Sequence, residues 1–238
     1  LFPYTTLFRS KKIIRKLFLK WVYGHVDKAF YVGTNNKNYF LKFGLKEHQL
    51  VIAPHAIDNG RFTERDRPKN SRPFHLLFVG KLEPRKNPFF LKKIMDNLNT
   101  TDFHLSIVGS GPLEVELKEL FSFNPNVDFL GFRNQIELPS IYSSVDLLVL
   151  PSLSETWGLA INEALACGTP VAASIYCGGA IDMINEDNGF LFDPKQGADC
   201  FIEKLEMFRS QVKKEFTAVF KNNFNYERIV EAVKENLN

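Results

Sequence analysis

Two glutamates stand eight residues apart in the segment PSLSETWGLAINEALACGTPVAAS. Glu155 precedes a predicted helix over 158–166, and Glu163 lies about two turns into it. Two carboxylates on a loop and helix can bind the hydroxyls of a polyhydroxylated ligand, and the amides of Gly158 and Leu159 can hold a phosphate. Glu155 could instead only satisfy the helix dipole. Glu163 needs a partner, because its helix is largely buried.

A second candidate site is the basic loop FVGKLEPRKNP. Gly80 ends a strand and lets the backbone approach a ligand, and Lys81, Arg85 and Lys86 bring three positive charges to the start of a helix. This arrangement suits a phosphate or diphosphate. The alternative is an ordinary solvated basic turn.

Two further loops are glycine-rich. In IVGSGP, Gly109 and Gly111 permit close backbone contact, but the third glycine and the acidic residue of the dinucleotide fingerprint are absent. After Gly131, Phe132 and Arg133 stand in a loop where a nucleobase could lie against the aromatic ring. Phe132 could equally serve only the core.

These loops all follow strand-like apolar runs that alternate with helical periodicity. The pattern predicts an α/β fold with a Rossmann-like, doubly wound parallel sheet, in which right-handed crossovers bring every such loop to one edge. The predicted strands cover 75–79, 104–108, 127–130, 146–150, 171–174 and 190–192, and the predicted helices cover 88–98, 112–122, 136–142, 158–166 and 197–211.

Composition excludes several classes of protein. The chain has 238 residues, 24% charged and 45% hydrophobic, which excludes collagen-like, disordered and disulfide-framework proteins. No apolar run approaches the length of a membrane span. The three cysteines form no C-x-x-C pair and indicate small core residues in a reducing compartment.

The charge of +3 is unevenly distributed. Residues 1–70 carry 14 basic and 5 acidic side chains, whereas residues 71–238 carry 16 and 22. Residues 11–30 form a basic amphipathic helix, which could lie on anionic lipid or pack on a domain as a surface helix. Short apolar runs at 29–32 and 50–53, with a helical stretch at 36–43 between them, indicate the end of a truncated β-α-β domain.

The first ten residues need separate treatment. The stretch PYTTLFRS is the in-frame translation of a common short-read sequencing adapter, so we interpret residues 1–10 as an assembly artefact and exclude them from fold reasoning. The alternative is a genuine N-terminus. On the artefact interpretation, the natural protein begins upstream.

Taken together, the motifs resemble the retaining glycosyltransferases of family 4, the glycosyl transferases group 1, which have a GT-B fold and use nucleotide-sugars. The resemblance covers nearly the whole chain from about Lys11. It is carried by the E-x7-E motif in ETWGLAINEALACGTPV, by GKLEPRK, by VGSGP and by CGGAIDMINEDNGFLF. It implies that residues 11–71 are a remnant of the acceptor domain with the interdomain linker APHAIDNGRF. It also implies that 72–215 bind the nucleotide-sugar, and that 216–238 form a helix crossing back to the N-terminal domain.

The resemblance also implies roles for individual residues. Glu155 contacts the donor sugar and Glu163 the ribose, while Lys81 and Lys86 take the arginine and lysine positions on the diphosphate. Lysine keeps the charge of arginine but loses its bidentate fork. The family's G-G-x-P-E segment departs here to GGAID. The expected catalytic residues are Glu155, Lys81 and Lys86, and the expected donor contacts are Gly80, Lys81, Lys86, Gly109, Phe132, Arg133, Glu155, Trp157, Gly158, Leu159 and Glu163.

The function implied is transfer of a sugar from a nucleoside-diphosphate donor to a glycan or lipid-linked acceptor, with retention of anomeric configuration. No cofactor or metal is expected, because lysines neutralise the diphosphate, and no nucleic-acid partner is expected. We expect a cytoplasmic protein, with peripheral contact at the inner face of an anionic membrane as an option. The alternatives are a nucleotide-sugar-binding fragment without turnover and a Rossmann-type oxidoreductase, which VGSGP and the parallel sheet alone suggest.

Overall fold

A computed structural model describes residues 4–63, 73–99, 101–210 and 217–236. They divide into two units: the described residues up to Pro54 together with those from Glu227 onward, and His55–Tyr226. The predicted segment boundaries at residues 71 and 72, and at 215 and 216, lie outside the described residues.

The first unit contains a strand–helix–strand succession, as the sequence predicts. Helix α1 (Tyr4–Tyr23) precedes strand β1 (Ala29–Tyr31), helix α2 (Thr34–Lys42) and strand β2 (Leu50–Ile52). The two strands pair in parallel, with Ala29 opposite Leu50. Because α1 begins at Tyr4, it includes residues that we interpret as an artefact.

The second unit is built on a six-stranded parallel sheet. Its strands are β3 (Phe74–Val79), β4 (Phe103–Val108), β5 (Val127–Gly131), β6 (Leu147–Leu150), β7 (Val171–Ser174) and β8 (Gly189–Phe192). Every residue of β6 and β7 is buried, which is why these strands are apolar up to the terminal Ser174 of β7 rather than alternating. The predicted doubly wound α/β fold is confirmed.

Helices connect these strands and cover the sheet. The connections between consecutive strands contain α3 (Phe89–Asn97), α4 (Glu114–Leu120), α5 (Leu138–Ser143), α6 (Leu159–Ala166) and α7 (Ala180–Met183), and β8 is followed by α8 (Ala198–Ser210) and α9 (Thr217–Asn223). The sequence did not predict α7, since four residues are too few to show helical periodicity. The core is aromatic-rich: Phe90 stacks on Phe192, which meets Phe201 edge to face.

The strand order determines where a ligand could bind. The sheet runs β5-β4-β3-β6-β7-β8, so the chain moves outward from β3 in one direction and then from β6 in the other. In doubly wound sheets, ligands bind beyond the carboxyl ends of the strands at this reversal. The loops after β3 and β6 therefore border the expected ligand site.

The segment before the sheet is part of the second unit. Ile57 and Phe62 are buried, and the Asn59 amide Nδ2 donates to the carbonyl oxygen of Phe224 at 3.1 Å. This segment contains most of the predicted interdomain linker. Helix α10 (Tyr226–Asn236) follows. None of the helices in the described part of the chain combines the length and apolar character that a bilayer span requires.

Candidate functional site

The loops after β3 and β6 are hydrogen-bonded to each other at the reversal of the sheet. The amide of Leu153 donates to the carbonyl oxygen of Arg85 at 2.8 Å. The side-chain amide of Asn87 donates to the carbonyl oxygen of Pro151 at 3.1 Å. Asn87 adopts a left-handed conformation with φ 53°, which turns the chain from this loop toward α3. The two loops therefore form one connected backbone surface.

An ion pair joins these loops. The Lys86 ammonium contacts the Glu155 carboxylate, and the two side chains are only 17% and 14% exposed. Burial lowers the pKa of the Lys86 ammonium below its ordinary value, and the neighbouring Arg85 guanidinium lowers it further. Each group compensates the other's lost hydration, so neither is an isolated buried charge. The residues that the sequence predicts for diphosphate and sugar are thus brought together.

The loop after β7 holds the backbone around Glu155. The Glu155 amide donates to the carbonyl oxygen of Tyr176 at 3.1 Å, and the Glu155 carbonyl accepts from the Gly178 amide at 2.8 Å. A Cβ on Gly178 would collide with the carbonyl oxygen of Thr156. Gly178 therefore permits this close approach. It belongs to the GGAID segment, the one that departs from the family's G-G-x-P-E pattern. The adjacent pair Gly178 and Gly179, in the loop that follows the buried strand β7, was the available signal.

Glu163 has a different partner. Its Oε2 atom accepts a hydrogen bond from the Tyr142 hydroxyl at 2.7 Å, which supplies the partner that the buried helix requires. Burial raises the pKa of the Glu163 carboxyl, and the hydrogen bond from Tyr142 opposes that effect. Sequence reasoning missed Tyr142, because a tyrosine on a short predicted helix gives no signal of what its hydroxyl contacts.

The three basic residues of the first loop do not converge. Lys86 pairs with Glu155, whereas the Arg85 Nε atom donates to Glu83 at 2.6 Å and Lys81 is exposed. The hydrogen bond from Arg85 is the main reason that the pKa of Glu83 is lowered. Of the two lysines predicted for the diphosphate, Lys86 is half-buried in the site and Lys81 lies at the surface.

Glycines let the neighbouring strand ends lie side by side. The Gly80 amide donates to Val108 at 3.0 Å, and the Gly109 amide donates to Gly131 at 2.8 Å. Gly109 has φ +132°, and a Cβ there would collide with the Gly80 carbonyl oxygen. The close backbone contact that the motif permits is thus made, at Gly109, between two loops of the protein.

Phe132 projects from the edge of the sheet with 76% of its surface exposed. The alternative that this ring serves only the core is therefore wrong. Arg133 beside it is half-buried, and its Nη1 atom donates to Glu137 at 3.0 Å. An exposed aromatic ring directly after a strand of this edge is available to stack on a planar ligand.

The start of α6 combines a buried anchor with open amides. The Trp157 indole is 4% exposed and donates to Asn162 at 2.8 Å, so its side chain packs in the interior and only its backbone is near the edge. Gly158 has φ +96°, and no side chain caps the helix. The amides of Leu159 and Ala160 are thus without a side-chain cap and suit an anion, whereas the Ile161 amide donates to the Gly158 carbonyl oxygen at 2.8 Å.

Within the described ranges no group of three or more His, Cys, Asp or Glu is arranged to hold a metal ion. Cys167 and Cys177 are buried and Cys200 is half-buried, and each of the three is a thiol rather than half of a disulfide. Burial raises the pKa of the Cys177 thiol to about 11.

The sequence profile of the family described as Glycosyl transferases group 1 matches residues 61–223, more than half of the chain. The chain belongs to the glycosyl transferases group 1. The match contains both glutamates and both lysines that the sequence predicted for the donor.

Curated relatives of this group 1 chain are longer proteins. It is 35% identical over 167 residues to the sulfoquinovosyl transferase SQD2 of Arabidopsis thaliana, covering 64% of this chain and 32% of that one. It is 32% identical over 193 residues to the UDP-Gal:alpha-D-GlcNAc-diphosphoundecaprenol alpha-1,3-galactosyltransferase of Escherichia coli, covering 76% and 49%.

Solved structures show the same fold. The lipopolysaccharide outer core galactosyltransferase WaaB superposes with a TM-score of 0.76 at 19% identity, covering 88% of this chain and 62% of that one. Anabaena HepE in complex with UDP and glucose superposes with a TM-score of 0.71 at 20% identity, covering 93% and 67%. The group 1 chain therefore has the parallel-sheet architecture of the GT-B glycosyltransferases.

Proposed function

We propose that this chain is part of a glycosyltransferase that takes a sugar from a nucleoside-diphosphate donor and transfers it to a glycan or lipid-linked acceptor. The observation that carries the proposal is the Lys86–Glu155 ion pair at the reversal of the sheet. A cation and a carboxylate in one sheltered site match a ligand that has a diphosphate next to a hydroxylated ring. Membership of the glycosyl transferases group 1 supports the same conclusion.

The relatives support a nucleotide-sugar as the donor. The Escherichia coli relative is named for UDP-Gal, and the Anabaena structure contains UDP and glucose. In our proposal the base stacks on the exposed ring of Phe132, the ribose binds Glu163 and the diphosphate meets Lys86. The sugar hydroxyls bind Glu155, which shares Lys86 with the diphosphate when the donor is bound.

We propose a reaction with retention of anomeric configuration. The acceptor oxygen bonds to the anomeric carbon on the same face from which the diphosphate oxygen leaves, and the departing diphosphate takes the acceptor's proton. The protein's part is to orient the donor and to stabilise the charge of the leaving group. Lys86, the more exposed Lys81 and the first amides of α6 are the groups available for that stabilisation, with no metal or cofactor assigned.

We also propose that α1 contacts an anionic membrane surface from the cytoplasmic side. Its apolar residues Ile13, Ile14, Leu17, Phe18 and Trp21 are 58–65% exposed, and Lys16 and Lys20 are exposed beside them. Apolar and basic residues together favour binding in the headgroup region of anionic lipid. The test is co-sedimentation with phosphatidylglycerol vesicles. The chain should sediment with phosphatidylglycerol vesicles and stay in the supernatant with phosphatidylcholine vesicles. Equal binding to both would contradict the proposal.

The donor is tested by thermal shift and by turnover. UDP, GDP, ADP and their glucose conjugates are added at 1–5 mM to the purified chain, and at least one pair should raise the Tm. No shift with any of them would overturn the proposal. Binding without formation of free nucleoside diphosphate in the presence of acceptor extract would support a binding module instead. Binding of NADH alone would support the oxidoreductase.

A further inference from the structure

Tyr142 connects the short helix α5 to α6. Its side chain is completely buried, and its hydroxyl donates to Glu163 Oε2 at 2.7 Å across 21 residues of sequence. Its carbonyl oxygen accepts a hydrogen bond from the Thr169 hydroxyl at 2.6 Å, in the turn after α6. The residue is therefore fixed at its backbone and at the tip of its side chain, so its hydroxyl has little freedom to leave Glu163.

This contact defines which carboxylate oxygen is free. Oε2 is occupied by Tyr142, and within the described part of the chain no hydrogen bond to Oε1 is present. Glu163 as a residue is half-buried rather than buried, so a ligand can reach it. One oxygen is thus held by the protein while the other remains for an incoming donor.

We propose that Tyr142 is a positioning residue that orients Glu163 so that Oε1 meets a ribose hydroxyl of the donor. The assignment rests on the proposed function, in which Glu163 binds the ribose. Holding a flexible glutamate in its binding rotamer before the ligand arrives reduces the entropy lost on binding. Tyr142 itself touches no ligand.

The protonation states agree with this direction of the hydrogen bond. Burial raises the pKa of the Tyr142 phenol well above its ordinary value, with the Glu163 carboxylate adding to the rise, so Tyr142 remains a donor. The phenol in turn opposes the rise that burial causes in the pKa of Glu163. The titratable groups that act on this pair are the two residues themselves and the buried thiol of Cys167, which lies near Tyr142.

The experiment compares wild type, Tyr142→Phe and the control Tyr39→Phe. The control removes another phenol, which accepts a hydrogen bond from Arg15 at 2.8 Å in the first unit. Binding of UDP, GDP and ADP is measured by calorimetry from pH 5 to pH 9 on the full chain. The nucleotide that binds wild type should bind Tyr142→Phe about tenfold more weakly, and the control should bind it unchanged.

The pH profile separates orientation from general damage. Without the phenol, the carboxyl of Glu163 loses the donor that lowers its pKa, so the pH below which affinity falls should move upward in Tyr142→Phe. In a Glu163→Gln background, adding Tyr142→Phe should cost less than twofold, because the two residues act through one contact. An equal loss in both backgrounds would mean that Tyr142 acts only on the fold.

A second variant tests the assignment without changing Tyr142 itself, in case Tyr142→Phe fails to fold. Thr169→Val keeps the side-chain volume and removes the hydroxyl that holds the Tyr142 carbonyl, so affinity should fall in the same direction by less. Wild-type affinity in both Tyr142→Phe and Thr169→Val would overturn the assignment. Failure of wild type to bind any of the three nucleotides would instead remove the proposed function, and the assignment with it.

Discussion

The two glutamates of the candidate site are held in opposite ways. Glu155 lies on a loop, pairs with the charged Lys86 and has its backbone fixed by the loop after β7. Glu163 lies inside α6 and receives a hydrogen bond from the neutral, fully buried Tyr142. The same residue type at the two ends of one motif therefore has a charged partner in one place and an uncharged partner in the other.

Because their partners differ, only one of the two carboxylates can exchange its partner for a ligand. A lysine on a loop can divide its hydrogen bonds between Glu155 and a phosphate, because an ammonium has three donors. A buried phenol has one, so it stays with Glu163 while a ligand takes the other oxygen. We therefore expect Glu155 to respond to charge in the ligand and Glu163 to respond to pH.

The largest effect is expected from Gly178→Ala, which disturbs the Glu155 side alone. The added Cβ collides with the carbonyl oxygen of Thr156, so the loop must move. Overpacking of this kind costs about 1–3 kcal/mol, which lowers the Tm by about 2–12 °C in a unit of this size. Calorimetry should show that loss, with weaker nucleotide-sugar binding, whereas Gly60→Ala on an exposed turn should lose less. Equal Tm values for the two variants would contradict the packing described for Gly178.

The next effect is expected from Lys86→Gln, which removes the charged partner. Nucleoside diphosphate should bind about 10–100-fold more weakly, since a hydrogen bond to a charged group contributes about 1.5–3 kcal/mol. Lys93→Gln, at an exposed lysine of α3, is the control. Titration calorimetry with UDP, GDP and ADP measures both. If the two lysine variants bind alike, Lys86 does not hold the diphosphate.

Glu155→Gln should distinguish the contribution of the sugar to donor affinity from that of the diphosphate. Because the substitution releases Lys86 from its carboxylate, affinity for a plain nucleoside diphosphate should stay unchanged or increase by up to about threefold. Affinity for the nucleotide-sugar should fall toward that of the nucleotide. Competition binding with UDP and UDP-glucose, or the corresponding pair for another base, measures this ratio. A loss of UDP binding as large as in Lys86→Gln would show that Glu155 has no separate role.

The smallest effect is the pH dependence of stability at Glu163. Burial raises the pKa of this carboxyl above its ordinary value of 4.5, so the folded chain binds the proton more tightly than the unfolded chain. The free energy of unfolding that it contributes therefore falls as pH rises from about 4.5 through the raised pKa. Glu163→Gln should gain Tm relative to wild type between pH 4 and pH 8, by at most about 4 °C. Thermal melts across that range measure it, with Glu186→Gln at the surface as the matched control.

Much of the fold was predictable because its signals are local. The buried strands are continuous apolar runs, and the glycines that follow several of them gave the strand ends to within a residue or two. The parallel sheet followed from strand and helix alternation. Helix α7 was not predicted, because four residues are too few to show the helical periodicity of apolar side chains.

For the candidate site, the sequence predicted which residues belong to it but not which residues they contact. Residue types and motif spacing identified Glu155, Glu163 and Lys86, but their partners come from elements 69 and 21 residues away. Such contacts depend on strand order and on the angle at which helices pack, and neither leaves a periodic trace in the sequence. The same reason explains why Trp157 was expected at the donor while its indole is turned inward.

The backbone hydrogen bonds between the Glu155 loop and the loop after β7 have a consequence for how members of this family can differ in the ligand they prefer. Amides and carbonyls hold Glu155, so the side chains of Ile175 and Tyr176 are free to vary while the glutamate keeps its position. A saturation library at these two positions, with Gly178 left intact, should be enriched in folded variants and is where altered sugar selectivity can be sought first.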